Sequence, residues 1–282
     1  MKILITGANG MLAKAVKKRF EKEELILTGS KELDITNAQK VAEFISSSNP
    51  KVIINCAAYT AVDKAEEEKE AARKVNCEGV KNLAIASEKN NSILIHISTD
   101  YVFGGNLPLE KAYKEEDPKE PVTVYGITKL EGENQICQNT TKFYIFRTAW
   151  LYGEGNNFVR TMIKLGKEKN EVNVVSDQYG SPTYAVDLAD IIYKALEKKI
   201  PYGIYHATSE GFTTWYNFTK EIFKLVNIPC SINPVTTEEF PRPAKRPKNS
   251  MLSKEKIVKQ GIIIPTWQNG LERYIKSEIS QK

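Results

Sequence analysis

The sequence predicts an α/β protein: a doubly wound parallel sheet of the Rossmann type with a smaller C-terminal substrate-binding lobe. Three observations predict it. Short β-branched runs alternate with longer amphipathic segments. The first run passes straight into a glycine loop, Thr6-Gly7-Ala8-Asn9-Gly10-Met11-Leu12-Ala13. Residues 93–97 (ILIHI) form an almost unbroken apolar run, as expected of a parallel strand covered on both faces.

Taken in order, residues 2–6 read as a buried strand. Residues 11–22 follow as a helix, with Leu12, Ala15, Val16 and Phe20 at helical spacing. A strand at 25–28, a short helix at 41–46 and a strand at 51–55 come next. Residues 65–89 have helical composition, and the mixed charges of 64–74 suit a solvated face. The strand at 93–97 leads to a helix over 123–139. Strands at 143–147 and 172–175 and an amphipathic helix at 187–198 complete the rhythm, joined by right-handed crossovers. Residues 1–150 therefore read as a dinucleotide-binding domain whose sheet is continued by 172–200. Residues 151–171 and 201–282 read as the lobe. There Pro201, Pro229, Pro234, Pro241, Pro243, Pro247 and Pro265 break the pattern, with helices near 214–226 and 267–277.

Composition removes several classes of function. A chain of 282 residues that is 41% hydrophobic and 27% charged has a core to bury, so disorder is not its dominant state. A net charge of +5 is too mild to point to nucleic acid. Cys56, Cys77, Cys137 and Cys230 form no CxxC unit, and only His96 and His206 are at hand to help, which argues against structural zinc. Free thiols in a reducing cytoplasm are the expectation. The N-terminal run turns too soon into the glycine loop to be a signal peptide, and no stretch nears the ~18 apolar residues of a membrane span.

The glycine loop sits between a strand and a helix, which is what gives it meaning. Gly7 permits a tight turn, and Gly10 lets a pyrophosphate approach the backbone at the helix N-terminus. Ala13 stands where a third glycine is usual. After the second strand the chain reads Thr28-Gly29-Ser30-Lys31, with no carboxylate before Glu32. An acid there would meet a ribose 2′-hydroxyl, whereas Ser30 and Lys31 suit a 2′-phosphate. NADPH is thus favoured over NADH.

Tyr125-Gly126-Ile127-Thr128-Lys129 is the main chemical signal, because a spacing of four puts both side chains on one helical face. A free phenol holds its proton to about pH 10. A nearby ammonium favours the phenolate; drawing the phenol near 7 takes about 3 units, roughly 4 kcal/mol. A tuned tyrosine is a general acid for carbonyl reduction. The strand at 93–97 ends in Ser98-Thr99-Asp100, at the carboxyl edge where open α/β sheets bind ligands, and a hydroxyl there can meet the reacting carbonyl.

These residues resemble the extended short-chain dehydrogenase/reductases and, within them, the dTDP-4-dehydrorhamnose reductase branch. The resemblance rests on the TGxxGxxA loop and YxxxK. It also rests on Leu33-Asp34-Ile35-Thr36, the stretch from Asn55 to Glu66 (NCAAYTAVDKAE), Ser98 to Phe103 (STDYVF), Arg147 to Gly153 (RTAWLYG), and Arg242-Pro243-Ala244-Lys245-Arg246-Pro247. It implies that Gly10, Met11 and Leu12 hold the cofactor pyrophosphate and that Asp34 and Ile35 flank the adenine. It places Ala58, Tyr59 and Thr60 at the nicotinamide. Tyr125 is implied as proton donor and Lys129 as the group that tunes it and bonds the ribose. Thr99 and Asp100 are implied to hold the sugar, and Trp150 to pack on it. Arg242, Lys245 and Arg246 suit the substrate diphosphate. The implied reaction is NAD(P)H-dependent reduction of the C4 ketone of dTDP-4-dehydro-L-rhamnose to dTDP-L-rhamnose.

Rival readings are another nucleotide-sugar reductase or C4 epimerase of this family, and a non-catalytic regulatory subunit resembling that of methionine adenosyltransferase. A 4,6-dehydratase needs a further acid where Tyr101 stands. Members of the family can dimerise, sometimes around magnesium. Asp187 and Asp190 share a helix but read as surface acids, so a homodimer is open and no metal site is expected.

Overall fold

In the computed structural model, which describes residues 1–279, β1 (Lys2–Thr6), β2 (Glu24–Thr28), β3 (Val52–Asn55), β4 (Ile93–Thr99) and β5 (Phe143–Thr148) are joined by a strand at Gly203–His206. They form one sheet in the order Gly203–His206, β5, β4, β3, β1, β2. Every pairing is parallel. Helices cover both faces, which is why the strands are apolar at successive positions rather than at alternate ones. Ile3 and Ile5 pack on one face with Val16 of α1 (Met11–Arg19) and with Leu188 and Ile192 of the helix Ala185–Glu197. Leu4, between them, packs on the other face with Val41 and Ile45 of α2 (Ala38–Ser48) and with Leu83. Each such buried aliphatic side chain stabilises the fold by roughly 1.5–3 kcal/mol.

Two boundaries differ from the prediction. The strand Glu171–Val175 does not continue the main sheet. It pairs in parallel with Ser231–Val235 in a two-stranded sheet of the lobe. Its sequence EVNVV buries alternate residues, the pattern of a sheet with one wet face. The sixth main-sheet strand is Gly203–His206, hidden in the sequence by the proline-rich stretch around it. Ile257 and Ile262, which the prediction placed in the lobe, belong to the core of the main sheet. The lobe's own core joins Val159, Phe218, Ile222 and Leu271.

The helical stretch predicted over 65–89 is divided. It comprises Val62–Ala65, Lys69–Arg73, a wide π turn at Lys74–Gly79 and Val80–Lys89. That turn brings Asn76 against Tyr59 and Thr128, tying the stretch after β3 to the helix Val124–Asn139.

Candidate active site

Parallel strands deliver their carboxyl ends to one edge, and a cleft of about 450 Å³ opens there. The glycine loop forms one wall. Gly7 has φ +63°, and a Cβ on it would stand 2.7 Å from the Ala57 amide nitrogen. Only glycine lets the loop turn so close to β3. Gly10 caps α1 without any side-chain hydrogen bond, so the first amide N–H groups of the helix are left for an anion. Gly10, Met11 and Leu12 line the cleft, as do Ala58 and Thr60. The loop thus fits a dinucleotide diphosphate, whose reduced nicotinamide supplies a hydride when bound.

The opposite wall carries the predicted chemistry. Thr99, Asp100, Tyr125, Lys129 and Trp150 all line the same cleft. Tyr125 arrives on the first turn of the helix Val124–Asn139, which Thr123 caps through a hydrogen bond from the Gly126 amide. Gly126 lets this turn press on the end of β4. A Cβ there would lie 2.2 Å from the Tyr101 carbonyl oxygen. Lys129 follows one turn later and is 1% exposed.

Burial decides the ionisation of these groups. It pushes the Tyr125 phenol well above its usual range, against the pull of the Thr99 hydroxyl. The expectation that the lysine draws this phenol toward neutrality is therefore not met. The lysine is itself lowered to about 8, first by burial, with Glu133 and Cys56 pulling the other way. Burial raises Asp100 to about 6, against the Thr99 and Ser250 hydroxyls. Asp100 Oδ1 accepts from Thr99 Oγ1 at 2.9 Å, while its Oδ2 has no hydrogen-bond partner among the described residues.

The other predicted residues have partners of their own. Tyr59 donates its hydroxyl to Glu68 at 2.6 Å and does not line the cleft. Ile35 is buried in the core beneath α2, and Asp34 spends its carboxylate on the Thr36 amide and hydroxyl. Ser30 is exposed at the end of β2. Glu32 folds back there to accept the Gly29 amide at 2.7 Å, so Lys31 and Glu32 leave both charge signs at this tip. Trp150 sits at φ +47° and has one face stacked on Trp215 at 3.6 Å, which leaves only part of the indole for a sugar. Arg246 donates to Asp63 at 2.9 Å and to the Tyr101 hydroxyl at 3.0 Å, beside Asp100 and Trp150. Arg242 is exposed and lies over Phe240 instead. Asp187 is paired with Arg273, and Asp190 with Arg19 and Lys194. The described residues hold no cluster of metal-ligating side chains and no helix long and apolar enough to cross a membrane.

Residues absent from the prediction complete the floor. Glu133 and Arg147, 2% and 0% exposed, form a two-pronged ion pair at 2.7 and 2.9 Å. Ser98, one of the two hydroxyls the sequence offers at the end of β4, donates to Glu133 at 2.5 Å, and Arg147 donates to the Glu115 carbonyl at 3.0 Å. His96 and Asn55 stand behind Lys129. Arg147, His96 and Asn55 are visible in the sequence as single polar residues in apolar strands, but nothing in a one-dimensional pattern says which neighbour such a residue meets.

The chain matches the RmlD substrate binding domain over residues 1–279. A dTDP-4-dehydrorhamnose reductase of Aggregatibacter actinomycetemcomitans is 43% identical, with 96% of this chain and 97% of the relative covered. Among solved structures, a dTDP-4-dehydrorhamnose reductase of Clostridium acetobutylicum superposes with a TM-score of 0.95 at 48% identity, covering 98% of this chain and 99% of the other. The Bacillus anthracis dTDP-4-dehydrorhamnose reductase, solved in complex with NADP, gives a TM-score of 0.94 at 42% identity, with 98% of each chain covered.

Proposed function

The chain belongs to the RmlD substrate-binding family, and from that premise we propose that it is the NAD(P)H-dependent oxidoreductase that reduces the C4 ketone of dTDP-4-dehydro-L-rhamnose to dTDP-L-rhamnose. The observation that carries this reading is convergence. Tyr125, Lys129 and Thr99 share one cleft with the open N-terminus of α1. The first-turn amides of that helix hold the cofactor diphosphate. Tyr125 is the proton donor: burial keeps its phenol protonated, and a protonated acid is what a ketone needs as its oxygen becomes an alkoxide. Thr99 lines the same place, with its hydroxyl donated to Asp100. Arg246, anchored by Asp63, stands where the lobe meets the sheet and binds the substrate's diphosphate. The partner is thus a small nucleotide sugar, with no call on nucleic acid or membrane, and the reaction is a cytoplasmic one.

The test is an assay with dTDP-4-dehydro-L-rhamnose and each reduced cofactor in turn. One reduced cofactor is expected to be consumed per dTDP-L-rhamnose formed. No consumption with either cofactor overturns the reading. Sugar turnover without net loss of the cofactor assigns an epimerase instead.

A further inference from the structure

β5 ends at Thr148, and the chain joins the lobe at Leu151. Trp150 stands at that exit. It sits in the left-handed region, at φ +47°, which a bulky residue seldom adopts. Its carbonyl accepts from the Thr183 amide at 3.2 Å, and Leu151–Tyr152 then pairs in parallel with Thr183–Tyr184. The backbone of Trp150 is thus tied to the lobe, while its side chain lines the cleft with Asp100 and Tyr125.

Two lobe residues hold the indole. Trp215 covers one face, with the ring centroids 3.6 Å apart and the planes 11° from parallel. Gly180 lies against the six-membered ring: a Cβ there would stand 2.7 Å from Cε2 and 2.8 Å from Cζ2. These two residues belong to one body. Tyr179–Gly180 pairs antiparallel with Thr213–Thr214, and Trp215 follows at once as the first residue of the helix Trp215–Leu225. Thr214 caps that helix by accepting from the Asn217 amide at 3.2 Å. Trp215 is itself braced by Phe158, with ring centroids 4.4 Å apart, at the edge of the lobe core. It lines a small hollow beside the cleft rather than the cleft itself.

We propose that Trp215 and Gly180 are positioning residues for Trp150: a stacked ring and a bare stretch of backbone seat its indole, so that the wall offered to the substrate's sugar is set before the substrate arrives. This deepens the reductase reading and rests on it. An indole holds a sugar by contact across its surface, and that contact is lost when the ring tilts. A ring already in place spares binding the cost of ordering it. The lobe thereby acts on the sugar through a residue at the end of a main-sheet strand.

The experiment uses the whole protein labelled with fluorotryptophan. Its three tryptophans, Trp150, Trp215 and Trp267, give three fluorine NMR signals, each assigned by its loss in a Trp→Phe variant. The Trp150 signal is expected to shift in Trp215→Leu, which removes the stacked ring, and in Gly180→Ala, which only adds a methyl group. In the parent it shifts on adding dTDP-L-rhamnose and stays in place with dTDP alone. The substrate KM rises about tenfold in both variants, the upper range for one aromatic contact. Their kcat and cofactor affinity stay within about threefold of the parent, the pattern of lost ground-state binding. Trp215→Phe, which keeps a flat ring, restores most of the KM. A stack that only held the lobe together would instead lower kcat through unfolded protein and leave KM alone. An unmoved Trp150 signal in both variants, an unmoved KM in both, or an equal shift with dTDP alone overturns the proposal. The signals of the free protein need no sugar. If the parent fails the sugar assay while Trp150 still shifts in both variants, the reductase reading falls and the seating of Trp150 by the lobe stands.

Discussion

The two ends of the sheet carry two cavities, and the larger one is not the candidate site. At the amino end a hollow of about 570 Å³ lies among the strand starts, lined by Met1, Phe20, Ile93, Tyr144, Tyr193 and Tyr202. At the carboxyl end the cleft is smaller, but Lys129, Glu133, Arg147, Asp100 and His96 are buried in or beneath it. Burying charge is unfavourable unless every group is paired. The amino end spends its polar groups locally, as where the Tyr144 hydroxyl donates to the Ile200 carbonyl at 2.6 Å. The carboxyl end instead holds a lowered lysine, a raised carboxyl and a phenol kept protonated. Size reports loose packing; convergent, shifted polar groups report chemistry.

Substitutions at the two ends sharpen that contrast. Tyr125→Phe is expected to lower kcat by 10²–10⁴-fold, with cofactor affinity measured by fluorescence titration nearly unchanged. Activity within tenfold of the parent would remove the phenol from the reaction. Arg147→Met strands the Glu133 carboxylate in the interior and is expected to destabilise the fold by about 3–5 kcal/mol in urea denaturation. A loss under 1 kcal/mol would show that the buried pair is not a structural tie.

Lys129→Met is expected to move stability the other way. The folded chain lowers this group from 10.5 to about 8. Between those values the unfolded chain binds the extra proton, so stability rises with pH across that window and is least below 8. Removing the charge should therefore stabilise the protein near pH 7 by on the order of 3 kcal/mol, with the gain fading as pH approaches 10.5, while activity is lost. An unchanged urea midpoint near pH 7 would contradict a buried lysine of this kind.

Smaller effects follow at the rim. Arg246→Ala should raise the substrate KM about tenfold, the size of one charged hydrogen bond, while exposed Arg242→Ala should leave it alone. Equal KM values for the two variants would show that the Asp63–Arg246 pair does not meet the substrate. At the amino end, Tyr202→Ala removes a ring that is 44% exposed and should change stability by less than about 1 kcal/mol and kcat not at all. A fall in turnover there would break the comparison itself.

The nucleotide loop, the parallel sheet and the tyrosine–lysine pair are legible in the residues alone, because each is a local pattern. A strand buried on both faces must be apolar throughout, a tight turn at β3 needs Gly7, and a spacing of four puts Tyr125 and Lys129 on one helical face. The folded chain was needed to show that Gly203–His206 rather than Glu171–Val175 completes the sheet, and that the Tyr59 hydroxyl meets Glu68. It alone paired Arg246 with Asp63, left Arg242 exposed, and set His96 behind Lys129. Strand order and the partners of buried polar groups are contacts between distant residues. Nothing in a residue's neighbours along the chain fixes which hydrogen-bond acceptor, or how much water, it will meet once folded.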